Sequence, residues 1–529
     1  MFNEKEFDDN SIACKFPARK SWLQTELKIN NFPKVSCKKY DQWFKQLDPT
    51  SSSLIFPAGH INSPASMFGH TFLKINSSYN SKLLAHAINY AASADKSKEN
   101  GFLFAIKGLF GGYYGQYSLL PYYEKLKEYR DTEQRDIWEY NLNLSKSEVV
   151  KMVNHIWELK DTYSYYYFFD ENCSYNMLWL LEIARPTIKL REKFSYQISP
   201  PETIFEIDNA GLIKTRGYRP SKRKVLLEYE KKLNTIEIAF VKTLALKESS
   251  LSLLLKRNIS LQKQQLILET ATELCEYFYI QGKIKKEKYL RISHQLSKQR
   301  ASLGKGEKLI VAPPVNPDQA HRQLGLALGY RHNEKDSLTF SIRPTYHDIT
   351  NNDNGFLAGT QIEFLTPQLS YDLNSKNLKT DYLKLLTITS LAPETKIFNP
   401  LSWSTKWQFN RESLNNKLNF NGQISAGKTI EIGKQHLLYA LADGYIYPTN
   451  YSNSAIGSTL GAILYPSQST KLNIEANYKI YDSSDKQKIL SITQSYFPKN
   501  SIDIKLKYEY IEKIEKNQNT VNLSLYYFF

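Results

Sequence analysis

The chain has 529 residues, 41% of them hydrophobic and 13% aromatic, with 37 tyrosines and a formal net charge of +16. That length allows two to four domains, each burying its own core, and the aromatic content suits many strands and a membrane interface. The lysines are spread along the chain and no nucleic-acid module interrupts them, so the charge fits an anionic envelope surface and not a nucleic-acid partner.

Residues 11–47 read as short helices around Trp22, Leu23, Trp43 and Phe44. Cys14 and Cys37 flank a helical segment there and can close a loop in an oxidising compartment, a bridge worth about 3 kcal/mol by chain entropy. The stretch from Leu54 to Ile75 ends in strand-like alternation, with His70, Phe72 and Lys74 on one face and Thr71, Leu73 and Ile75 on the other. Gly69, just before His70, lets another backbone or a ligand approach. The next apolar run, Leu83 to Tyr90, carries His86. Residues 106–123 mix Gly108, Gly111, Gly112 and Gly115 with aromatics, and read either as a lid or acyl-chain-contacting loop or as a buried turn between strands.

A strand is expected over 134–144, then a helix opened by Ser145 and Ser147 and running through Leu159. Asp170, Glu171 and Asn172 are residues that open helices, and Met177, Leu178 and Leu181 follow at helical spacing. Cys173 is therefore expected on a first helical turn. Residues 199–220 form a closing segment with a proline-initiated turn of helix. Ser221 to Ser302 is lysine-rich and helical, a spacer in which Cys275 is a core residue; a proline-rich linker follows at 311–321.

From Gln323 onward come about a dozen alternating runs separated by turns, which predict an antiparallel barrel, with a soluble sandwich as the alternative. In the last run Val521, Leu523, Leu525, Tyr527 and Phe529 share one face, with Asn522, Ser524 and Tyr526 opposite. An alternating final strand ending in Phe resembles the terminal signature of bacterial outer-membrane barrels. The expected domains are 1–50, a helical segment; 51–220, a cysteine domain; 221–310, the spacer; and 311–529, the barrel. The fold class is α+β.

At a helix start, unpaired N–H groups and the helix dipole favour an anion, so a cysteine there reaches its nucleophilic thiolate form more easily. His70 is the candidate base, and His86 on the neighbouring strand is a second imidazole that can orient it. No Cys-x-x-Cys or His-Glu-x-x-His run supports a zinc site.

The series CKFPARKSWL, FPAGHINSPASMFGHTFLKI, GLFGGYYGQYSLLPYYEKLKEYRD and YYFFDENCSYNMLWLLEIARP resembles the Lnb-type N-terminal periplasmic domain family of bacterial envelope proteins. That family is similar to the circularly permuted papain-like group of NlpC/P60 relatives and lecithin:retinol acyltransferase, in which the histidine strand precedes the cysteine helix. The resemblance spans roughly residues 11–220. It implies Cys173 as nucleophile, His70 as base and His86 as third polar member, with Asn89 or His60 as alternatives to His86. It further implies acyl chemistry on a membrane lipid or lipoprotein substrate, without a cofactor. A peptidoglycan amidase or peptidase would use the same pair, and a non-catalytic outer-membrane assembly protein is a third reading.

Met1 to Asn10 is acidic and polar, unlike a secretory signal, so export requires a signal already removed or a start upstream; a cytoplasmic location is the alternative. No apolar run of about 18 residues is present to form a spanning helix. The expected location is the outer membrane, with the cysteine domain periplasmic.

Overall fold

The structure, a computed structural model, describes the chain except residues 1–7, 29–34, 60–68, 80–83, 94–106, 109–110, 195–196, 249–250, 256–258, 334–335, 345, 412–416, 434, 449–452 and 513–516. It divides at Pro313/Pro314 into two compact units.

The first unit is built on a seven-stranded antiparallel sheet: β1 (Ser51–Pro57), β2 (Phe72–Asn76), β3 (His86–Ala92), β4 (Tyr113–Pro121), β5 (Ile137–Leu142), β6 (Ser164–Tyr166) and β7 (Ile213–Arg219). Their spatial order is β6-β4-β3-β2-β1-β5-β7. Two helices cover one face, α1 (Lys146–Leu159) and α2 (Cys173–Ala184), and Leu54, Leu73, Ile88 and Tyr140 of the sheet join Met152, Val153, Leu178 and Leu181 of the helices in one core. On the other face Ile55, Phe72, Ala87 and Ile137 pack with Tyr122 and Tyr129. A histidine strand ahead of a cysteine helix gives the permuted papain-like arrangement.

Local signals act where expected. Ser145 caps α1 in a reciprocal capping box with Glu148. A ten-residue helix, Pro200–Asn209, begins with prolines at its first positions and is capped by Ser199. Cys14 and Cys37 are disulfide-bonded. Of residues 106–123, read from the sequence as either a lid or a buried turn between strands, residues 113–121 form strand β4. Tyr113–Pro121 pairs with β3 on one side and β6 on the other, and Gly115 is glycine because the Tyr90 ring occupies the space of a Cβ. Strand β7 had no predicted counterpart; it pairs with β5 through Arg219, at the sheet edge.

The helical segment after Ser221 belongs to the first unit. Its first helix is tied back to the turn before β5, where the Ser221 N–H donates to Asp136 (2.8 Å) and the Arg223 N–H to Gln134 (2.7 Å). Cys275 is fully buried, as a core residue should be.

The second unit is a closed barrel of twelve strands: β8 (Gly325–His332), β9 (Ser337–Arg343), β10 (Thr360–Asp372), β11 (Leu378–Ser390), β12 (Ser402–Arg411), β13 (Leu418–Ile432), β14 (His436–Ile446), β15 (Ser454–Ser467), β16 (Thr470–Tyr481), β17 (Lys486–Lys499), β18 (Ile502–Glu512) and β19 (Gln518–Phe528). Each pairs antiparallel with the next, and β19 closes on β8 with Phe528 opposite Gly325. Its polarity is that of a membrane barrel: Leu328, Ile424, Ile456 and Leu460 point outward and are exposed, while Asp443, Thr459, Lys471 and Lys505 point inward and are buried. On β19 the outward set is Val521, Leu523, Leu525 and Tyr527, followed by Phe529. Among the described residues no helix is long and apolar enough to cross a membrane.

Candidate active site

Asn172 sets where α2 begins. Its Oδ1 accepts the N–H groups of Ser174 (2.9 Å) and Tyr175 (3.2 Å), and its Nδ2 donates to the carbonyls of Phe168 (3.0 Å) and Ile198 (2.6 Å). Cys173 thereby becomes the first residue of the helix, at the end where the helix dipole favours an anion. Its own N–H donates to the Tyr166 hydroxyl (3.2 Å), and the Tyr166 ring stacks on Tyr90.

His70 stands just before β2, its N–H held by the Pro57 carbonyl (3.2 Å). Gly69 has φ +80°, a left-handed conformation, and its missing Cβ is replaced by the Phe56 ring at 2.5 Å. The close approach expected at this glycine is thus a core side chain and not a ligand. The imidazole lies beside Tyr129, ring centroids 5.7 Å apart, and its Nε2 donates to Asn89 Oδ1 at 2.7 Å. That bond leaves the other ring nitrogen free for proton exchange, and His70 lies close enough to the Cys173 thiol for each to shift the other's titration.

The electrostatics follow from these contacts. Burial alone would push the thiol up. The charge and hydrogen bond of His70, the Thr71 N–H and the Ser174 hydroxyl outweigh it and bring Cys173 down to about 6. For His70, burial acts downward, but the facing thiolate and the bond to Asn89 carry the imidazole above its ordinary value. Both shifts favour the same proton distribution, a thiolate on Cys173 beside a protonated imidazole on His70.

The structure therefore brings Cys173 and His70 together and leaves His86 apart. In the β2–β3 register Leu73 faces Ile88 and Ile75 faces His86, so His86 shares the face of Leu73 and Ile75 while Asn89 lies beside His70. Burial pushes the His86 imidazole down, and its Nδ1 has no hydrogen-bond partner among the described residues. Asn89, 3% exposed, and not His86, is the polar residue bonded to the His70 ring. His60 lies outside the described residues. Tyr166 and Thr71 were not singled out in the sequence, although both sit within the motifs that carry Cys173 and His70.

Fold and site together define a permuted papain-like thiol domain on a chain that also forms a transmembrane-type barrel. Residues 39–209 match the Lnb N-terminal periplasmic domain family. Residues 216–310 and 314–528 match two families described as domains of unknown function. No curated protein matches the chain. The barrel is similar to the KdgM porin (10% identity, 39% of this chain and 99% of that one, TM-score 0.26). It is also similar to an outer membrane channel from Pseudomonas putida F1 (13%, 41% and 97%, TM-score 0.27). The closed barrel with its apolar outer band and the periplasmic family of the first domain place the protein at the outer membrane, its N-terminal domain on the periplasmic side.

Proposed function

We propose that the protein is a cysteine acyltransferase or hydrolase that acts on lipid or lipoprotein acyl groups at the outer membrane. The observation that carries this reading is the buried Cys173–His70 pair oriented by Asn89. In the first step the Cys173 thiolate attacks the acyl carbonyl, and His70 gives its proton to the departing alcohol, leaving a thioester. In the second, His70 takes a proton from an incoming amine or water, which displaces the sulfur and carries the acyl group away. The Tyr166 hydroxyl, which accepts the Cys173 N–H and has its own hydrogen to give, would be the donor to the developing oxyanion.

Aromatic surroundings favour an acyl chain over a peptide, because Tyr90, Tyr129, Tyr166 and Phe72 supply apolar contact around the pair. The test is intact-mass measurement on the full-length protein in detergent after incubation with a phospholipid carrying a labelled acyl chain. A hydroxylamine-sensitive acyl adduct is expected on the wild type and none on Cys173→Ala. No adduct, combined with cleavage of peptidoglycan peptides, would replace the acyl reading by the amidase one.

A further inference from the structure

Barrels of 8 strands are filled by their own side chains and those of 16–18 leave an aqueous channel, so for twelve strands the contents of the lumen decide. Here the connection from β9 to β10 does not stay at the rim. In the ring the strands opposite β9 and β10 are β15 and β16, and the connection reaches both. Asp353 accepts from the Tyr465 hydroxyl on β15 (2.6 Å) and from the Lys471 ammonium on β16 (2.8 and 3.0 Å). The same ammonium donates to the Asn351 carbonyl (3.0 Å), and Ile349 packs on Leu437, Leu441 and Ile463.

The sides of the bore are bound as well. Asn351 Nδ2 donates to Asp503 on β18 (2.5 Å) and its Oδ1 accepts from Arg343 on β9; Lys505 donates to the Thr350 hydroxyl (2.7 Å). His347 Nε2 donates to Asp353 (3.0 Å) and its ring stacks on Phe356. His347, Asn351 and Lys471 have no exposed surface, so the bore is packed where they sit. The connection lies at the end where the barrel's first and last strands have their termini, since Gly325 pairs with both Phe528 and Arg343.

From this we infer that the barrel is a sealed anchor and not a diffusion channel, with residues 346–359 as a plug crossing its lumen. Charge fixes the plug: Lys471 and Asp353 neutralise each other, and removing either leaves the other buried without a counter-charge. The inference concerns the second unit alone and does not depend on the acyl chemistry.

The test is single-channel recording of the full-length protein in planar bilayers. The wild type is expected to be silent, and steady open channels from it would overturn the proposal outright. Replacing residues 348–357 by a glycine–serine linker should produce steady conductance, with the folded barrel verified by its heat-modifiable migration. A folded but silent variant would show that something else fills the bore and would likewise overturn the plug. If the linker variant does not fold, Lys471→Met serves instead: intermittent openings are expected from it, and silence identical to the wild type would count against the plug.

Discussion

Asn89→Ala removes the bond that orients His70. A hydrogen bond to a charged group contributes about 1.5–3 kcal/mol, and one pKa unit corresponds to roughly 1.4 kcal/mol. Asn89 raises the His70 pKa, so its loss lowers it and weakens the counter-charge that holds the Cys173 thiolate. The midpoint of thiolate formation should then move upward from about 6, by roughly one to two units. The assay is the rate of alkylation of Cys173 by iodoacetamide between pH 5 and 9, followed by mass spectrometry on the full-length protein in detergent. At pH 6.5 the variant should react about 3- to 25-fold more slowly, and near pH 9 at close to the wild-type rate. Asn89→Asp should move the midpoint down, since a carboxylate supports the imidazolium more strongly than an amide. His86→Ala should leave it in place, because that side chain lies on the other face. An unchanged midpoint in Asn89→Ala, or a shifted one in His86→Ala, would refute the assignment.

Tyr166→Phe keeps the ring stack on Tyr90 but removes the hydroxyl beside the sulfur, and the acyl-transfer rate should fall by about 100-fold, the range of a lost oxyanion donor. Cys275 should stay unlabelled in the folded protein at neutral pH, because burial and then the neighbouring Glu276 hold its thiol up at about 11; labelling that survives Cys173→Ala would contradict this. Ser145→Ala should lower the stability of the first unit by about 1 kcal/mol, read from thermal melting, through loss of the α1 cap. Replacing Tyr527 and Phe529 by Ser should reduce recovery in the membrane fraction while the thiol still alkylates, since both residues face outward from β19.

The parts of the fold that were legible rest on local chemistry. Asn172 had to cap something, and the apolar spacing after it made Cys173 the first helical residue. The alternation on β19 fixed its outward face residue by residue because a strand has only two faces and the lipid demands one kind of side chain on one of them. Residues 106–123 allowed two readings because glycine is ambiguous. It loosens a loop, and it also admits a bulky ring against a strand, as Tyr90 does at Gly115. The choice between these depends on a partner distant in sequence. Strand β7 went unread for a similar reason: its burial is intermediate along most of its length, so no apolar alternation marks it.

The site was half legible for a geometric reason. Chemistry alone prefers a histidine over an asparagine as the orienting group, and that preference selected His86. Register overrides it. Once Leu73 pairs with Ile88, Ile88 and every even offset from it along β3 point away from His70 and every odd offset points toward it, so the residue one position beyond Ile88 is the one that can reach the imidazole. A neutral amide there has a further consequence. A carboxylate would bind the imidazolium so firmly that its proton became harder to give to a leaving group, whereas Asn89 fixes the ring and leaves the proton available. The same separation of information explains the plug. Asp353 and Lys471 are 118 residues apart, and neither looks unusual in its own stretch; only closure of the ring brings β16 across from β10 and turns two ordinary charges into a bolt.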